Sequence, residues 1–154
     1  MRTIPPLILA LAIAACGRGA EGKSLPDVTL PTLGGPQSPS LATCPTEKCF
    51  TVVVAPWCGY CRRGTPVMIV LREWLARRGV AMRVIVGLAG IQDVKAYAQE
   101  FGPESMLDPE GKVKVTGGVP HFYVTDQKGS ILKEIAGMPM TNDPERFAAY
   151  FGLP

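Results

Sequence analysis

The sequence predicts an α/β domain built on a mixed β-sheet, and three observations carry that expectation. Runs rich in β-branched residues (50–55, 81–88, 121–125 and 130–136) alternate with stretches whose apolar residues recur at helical spacing. The last two runs are joined by turn chemistry at 126–129, so the second of them returns beside the first and the sheet is mixed. The composition, 47% apolar and 19% charged over 154 residues, is that of a globular chain large enough to fold around one core without metal. A net charge of +3 with no basic block gives no support for nucleic-acid binding.

Taken in order, the chain opens with Met1 and Arg2, then an almost unbroken apolar run over 4–15, then Cys16 and Gly17. Twelve apolar residues are too few for a stable transmembrane helix but suit a secretory signal. Residues 17–24 are small, polar and charged, so 17–26 reads as a flexible tether and 27–154 as the folded domain. A short edge strand is expected over 27–33, bounded by Pro26 and Pro31, and a turn over 34–40. Residues 50–55 (FTVVVA) have the continuous apolar character of a strand buried on both faces. After Pro56 comes a helix with Val67, Val70, Leu71, Trp74 and Leu75 on its inner side, Trp74 being read as core. Arg77 and Arg78 suit its last turn, and Gly79 its cap.

Residues 81–88 read as a second central strand and 91–101 as a helix ended by Gly102-Pro103, with a solvated face carrying Asp93, Lys95 and Glu100. Residues 106–115 suggest a turn between two short extended pieces. Asp143-Pro144 is an N-cap followed by a proline at the first helical position, opening a last helix to Phe151. The expected order is β-α-β-α-β-β-α.

Of the five cysteines, at 16, 44, 49, 58 and 61, the last pair is the most informative. A dithiol exchange centre needs one accessible thiolate and a second thiol close enough to resolve the mixed disulfide. A CxxC at the start of a helix supplies both, because the unpaired N–H groups of the first turn and the helix dipole favour the anion. Cys58 is the expected nucleophile and Cys61 the resolving thiol; Arg62 and Arg63 would add to the effect if either faced Cys58. The competing reading is half of a zinc site completed by Cys44 and Cys49. It requires two pairs placed at opposite ends of a strand spanning roughly 20 Å to meet. Cys44 and Cys49 are read instead as a structural disulfide closing a short loop, with a redox relay as the alternative. His121, the sole histidine, follows Pro120 and could modulate the thiolate, or could be a satisfied strand residue.

Several motifs match known families. Pro56-Trp57-Cys58-Gly59-Tyr60-Cys61 resembles the thioredoxin active site, and Pro66 matches the proline that kinks the helix behind it. Gly118-Val119-Pro120 resembles the loop whose cis-proline packs against the CxxC and offers backbone groups to a substrate. Pro26-Asp27-Val28-Thr29-Leu30-Pro31 and Leu107-Asp108-Pro109-Glu110-Gly111-Lys112-Val113 are similar to segments of the TlpA/ResA-like branch. The resemblance implies a thioredoxin fold, with helices flanking a central mixed sheet, over about residues 25–153. It also implies dithiol–disulfide exchange on exported proteins, most naturally as a reductase, with Trp57, Gly59, Tyr60, Val119 and Pro120 around the substrate. No cofactor is called for beyond the redox-active disulfide Cys58–Cys61, and no metal. An upstream membrane electron donor and a monomeric chain are expected. Ile13-Ala14-Ala15-Cys16 resembles the bacterial lipobox, making 1–16 a lipoprotein signal with Cys16 the lipidated anchor; the alternative is an ordinary signal cut near Ala14. Gly17 resembles an outer-membrane sorting signal, so the expected location is the periplasmic side of a bacterial membrane.

The departures are as specific. Val52 stands where many thioredoxins carry a buried acid, and Gly64 where ResA-like reductases carry Glu, leaving Glu73 and Asp93 as substitutes. Gly59-Tyr60 matches the periplasmic disulfide isomerase, but Val119 does not. An oxidase or isomerase is therefore the alternative direction of electron flow. A copper(I) carrier is the alternative from another class, its soft thiolates suiting that ion.

Overall fold

The computed structural model describes residues 22–154. Signal, lipidation and the first part of the tether, at 1–21, lie outside the described residues. Among the described residues, five strands and three helices run in the order β1 (Lys48–Val54), α1 (Gly59–Ala76), β2 (Ala81–Gly87), α2 (Ile91–Ala98), β3 (Met106–Asp108), β4 (His121–Asp126), β5 (Ile131–Ala136) and α3 (Pro144–Tyr150). The sheet order is β3-β2-β1-β4-β5. β1 pairs with β2 and β2 with β3 in parallel, whereas β4 runs antiparallel to both β1 and β5. It is the mixed α/β sheet expected from sequence, with one strand more: the first extended piece of 106–115 is the parallel edge strand β3.

The two parallel steps, β1-α1-β2 and β2-α2-β3, advance in the same direction across the sheet. Right-handed crossovers then place α1 and α2 on the same face. Their buried side chains, with those of α3, share one core with Phe50, Val52, Val54, Val84, Val86 and Phe122. Phe50 lies at its centre, its ring 5.5 Å from Phe122 and 4.8 Å from Phe151 between centroids. Among the described residues, the opposite face carries no helix. Leu25, Leu30, Leu41 and Val113 cover Val53, Ile85 and Tyr123 there. Among the described residues, no helix is long and apolar enough to cross a membrane.

The structure differs from the sequence reading in four places. Residues 23–26 are not tether. Ser24 bridges Ser130, the Leu25 N–H donates to the Gly129 carbonyl, and the Leu25 side chain is buried. Residues 27–33 form isolated bridges, Pro31 to Gln37 and Thr32 to Met106, in place of a continuous strand. On α1 the buried stripe is Cys61, Gly64, Thr65, Val67, Met68, Leu71 and Leu75, so Val67, Leu71 and Leu75 lie inward as expected. Val70 falls off that stripe and is half exposed, while Trp74 lies at its margin under the Arg78 guanidinium, 3.5 Å above the ring centroid. Finally, α2 ends at Ala98, and tighter turns carry the chain on to Gly102 (φ +99).

Candidate active site

β1 is buried throughout its apolar length, and the chain leaves it at Ala55, so residues 56–61 are presented at the C-terminal end of the central strand. Cys58 has extended backbone (φ −81, ψ 109) and is the N-cap of α1; its Sγ accepts the Cys61 N–H at 3.1 Å. A sulfur in a cap position is stabilised as an anion by the orphan donors of the first turn. No acidic side chain stands in that turn to oppose it. Cys58 and Cys61 form a disulfide, their Cα atoms 5.2 Å apart. Cys61 is wholly buried, whereas Cys58 retains 5% exposure, so an incoming group can reach only Cys58.

From the far side, the loop before β4 closes on the disulfide. The Val119–Pro120 peptide is cis, and the Val119 carbonyl oxygen lies 3.3 Å from Cys58 Sγ. Trp57 and Tyr60 flank the centre and are mostly exposed, at 65% and 63%. The Trp57 indole is fixed by an Nε1–H bond of 2.7 Å to the Leu88 carbonyl. Leu88 has φ +60, the only non-glycine residue in the left-handed region among those described, a conformation costly for a branched side chain. Nothing in the sequence marks Leu88, because its role runs through its backbone.

The two arginines do not add charge directly to Cys58. Arg62 donates to the Pro56 carbonyl, pairs with Glu100 at 2.6 Å and lies 3.9 Å over the Tyr97 ring. Arg63 stacks on Tyr60 at 4.6 Å. Burial pushes the Tyr97 phenol up; it shares a 2.9 Å hydrogen bond with the Thr65 hydroxyl, which also reaches the Cys61 carbonyl. Of the candidate carboxylates, Glu73 and Asp93 are exposed and bond to neither cysteine; Asp93 lines a small cavity beside Trp57. The space that a side chain at Gly64 would fill is held by the Met138 thioether, 2.7 Å from an ideal Cβ. Met138, Pro139 and Met140 form, with Tyr60, Arg63 and Gly64, a cleft of about 520 Å³ next to the disulfide.

Cys44 and Cys49 form a second disulfide, with Cα atoms 5.7 Å apart, at the opposite end of β1. The two pairs do not come together as a zinc site would need. His121 is buried, with Nδ1 3.2 Å from the Gly118 carbonyl oxygen and Nε2 2.9 Å from Glu134 Oε1. Thus the structure gathers Trp57, Cys58, Gly59, Tyr60, Cys61, Val119 and Pro120 in one place and sets Cys44 and Cys49 apart.

The sequence matches no protein-family model and no curated protein. Solved structures are similar in shape. A thiol:disulfide interchange protein DsbE from Chlorobium tepidum superposes with a TM-score of 0.65 at 22% identity, covering 84% of this chain and 94% of that one. A secreted disulfide oxidoreductase of Mycobacterium tuberculosis gives 0.61 at 17% identity, covering 80% and 96%. The exposed lipoprotein thioredoxin Etrx1 of Streptococcus pneumoniae gives 0.62 at 19% identity, covering 79% and 96%. With element order, sheet topology and CxxC placement already in hand, these likenesses establish that the chain has the thioredoxin fold.

Proposed function

We propose that this chain is a thiol–disulfide oxidoreductase acting on exported proteins, working as a reductase. The observation that carries the reading is the disulfide at the N-terminus of α1, its outer sulfur facing the Val119 carbonyl and its inner sulfur sealed from solvent. In the reduced enzyme, the Cys58 thiolate attacks one sulfur of a substrate disulfide. A mixed disulfide forms and the first substrate thiolate leaves, taking a proton from solvent. Cys61, losing its own proton, attacks Cys58 Sγ and expels the second substrate thiolate. Two electrons have then passed from the Cys58–Cys61 dithiol to the substrate. A dithiol on a membrane electron donor restores the pair by the same exchange in reverse. The chemistry needs no cofactor beyond the two cysteines.

Trp57, Gly59, Tyr60, Val119 and Pro120 form the surface on which we place the substrate chain. Export and anchoring rest on the apolar leader and Cys16, and a lipoprotein on the periplasmic side of a bacterial membrane, acting as a monomer, is the form proposed. Secreted and lipoprotein forms among the similar structures support it. The test is the reduction potential of the Cys58–Cys61 couple in glutathione or dithiothreitol buffers. A value near roughly −270 mV is expected for a reductase, and one between about −180 and −120 mV identifies an isomerase or oxidase instead.

A further inference from the structure

The loop that faces Cys58 is held by side chains that the exchange chemistry does not use. Gly117 and Gly118 both have positive φ, +82 and +98, so the loop's path relies on glycine freedom and carries few side chains of its own. Its anchors converge on Glu134 of β5. Glu134 Oε1 accepts the Thr116 hydroxyl at 3.3 Å and lies 2.9 Å from His121 Nε2, gripping the loop at both ends. The other ring nitrogen, Nδ1, reaches the Gly118 carbonyl in the middle at 3.2 Å. On the backbone side, the Gly137 N–H donates to the Pro120 carbonyl.

Proton accounting makes this brace more than packing. A carbonyl oxygen only accepts, so Nδ1 carries a hydrogen. A bond between Nε2 and a carboxylate oxygen then needs one further proton, held by the imidazole or by the carboxyl. Losing that proton sets a lone pair against a carboxylate at a site where the imidazole is 1% exposed, and the contact turns repulsive. Among the described residues, the groups around it are few. Lys23, from the N-terminal segment, lies 4.0 Å from Glu134 Oε2. Tyr123 of β4 stacks 4.7 Å from the imidazole, its phenol pushed up to about 12 by burial and then by the charge of Glu134. Lys112 and Lys114 line the adjoining cavity, with Lys112 paired to Glu110 at 3.6 Å. On the other side of the loop is Cys58.

We propose that His121 and Glu134 are a positioning pair whose shared proton holds the Val119 carbonyl against Cys58, so that releasing the proton loosens the loop and frees the thiolate. The sign is set by the contact itself. The Val119 carbonyl oxygen lies 3.3 Å from Cys58 Sγ in the disulfide form; held there in the reduced protein, it would accept S–H from a thiol and repel a thiolate. The proposal rests on the exchange reading of the site and adds a pH-dependent control of its nucleophile.

The experiment is the pH profile of Cys58 alkylation by iodoacetamide in the reduced full chain, read by peptide mass spectrometry, for wild type, His121→Gln and Glu134→Gln. The expected wild-type profile rises more steeply than one titration. Both variants should show a single titration. His121→Gln, which loses the imidazole bridge, should react roughly two- to tenfold faster at pH ~6, the span of an ordinary hydrogen bond. Glu134→Gln, whose amide N–H takes the place of the shared proton, should stay as slow as wild type there and lose the extra steepness. Profiles of both folded variants that superimpose on wild type overturn the proposal. If neither variant folds, the unmutated protein decides, because His121 is the sole histidine and its ring-nitrogen NMR signals report the shared proton directly. Signals unchanged across the range where Cys58 reactivity rises overturn it equally. Cys58 inert in every form at every pH is a different result: it refutes the exchange reading itself and takes this proposal with it.

Discussion

At the scale of single residues, the site separates its two sulfurs by what can reach them. Cys58 accepts the first-turn N–H and faces the Val119 carbonyl, while Cys61 is sealed beneath it. Replacing Cys61 by Ser therefore leaves attack intact and removes resolution. The expected outcome is accumulation of a mixed disulfide with a model disulfide protein, visible as a shifted band without reductant; Cys58→Ser should give none. Covalent adducts in equal amount from both variants would show that the sulfurs are interchangeable and contradict the assignment. These residues were legible because the spacing of a cysteine pair at a helix start is itself the chemistry. The proposed brace was only half legible: His121 was singled out beside the reactive pair as a possible modulator of the thiolate, but no local pattern joins it to Glu134, which it meets only once β4 and β5 pair. Leu88 was equally silent, since it serves Trp57 through its carbonyl.

At the scale of elements, two glycines show how space and backbone decide a substitution's effect. Gly64 lies inside α1, where an added Cβ would meet Met138 Cε at 2.5 Å, the end of a flexible side chain. Gly87 closes β2 opposite Asp108, where the same atom would run into the Asp108 carbonyl oxygen, fixed in the edge pairing. Ala at position 64 gains the helix preference of about 0.5–1 kcal/mol while Met138 swings aside. Ala at position 87 must displace β3, a clash of the kind that costs about 1–3 kcal/mol. Urea denaturation should place Gly64→Ala within about 1 kcal/mol of wild type and Gly87→Ala clearly below it. The reverse order would mean that Met138 is locked and β3 gives way. Strands 50–55 and 81–88 were readable from composition because both are buried on two faces. β3 was legible only as a short extended piece of 106–115 and not as a strand of the sheet, because three residues carry no periodicity. Nor did the sequence reveal that Arg83, in the middle of an apolar strand, would be buried, where it donates to Thr51 and to the Thr43 carbonyl. Burial lowers its pKa to about 10.

Across the whole molecule, the sheet keeps two disulfides apart and gives each a different setting. The Cys58–Cys61 pair sits where β1 hands over to α1, beside a cleft and two exposed aromatic side chains. The Cys44–Cys49 pair sits at the other end of the same strand. There the Cys44 N–H donates to the Gln127 carbonyl, and Thr46 bonds to Ala81 of β2 and to the Lys48 carbonyl. Everything around the second pair ties a loop to the start of β1. Loop-closure entropy for so small a ring gives a stabilisation of about 2 kcal/mol. Replacing Cys44 and Cys49 together by Ala should therefore lower unfolding stability by about that amount and leave the potential of the Cys58–Cys61 couple where it was. The strand between the pairs spans roughly 20 Å, and thiol exchange needs sulfur-to-sulfur contact, so electrons cannot pass from one pair to the other within one folded chain. A structural clip changes the denaturation midpoint alone. If the double variant instead keeps its stability but can no longer be reduced by a partner dithiol, the second pair is an entry point for electrons, and the transfer must run between two molecules.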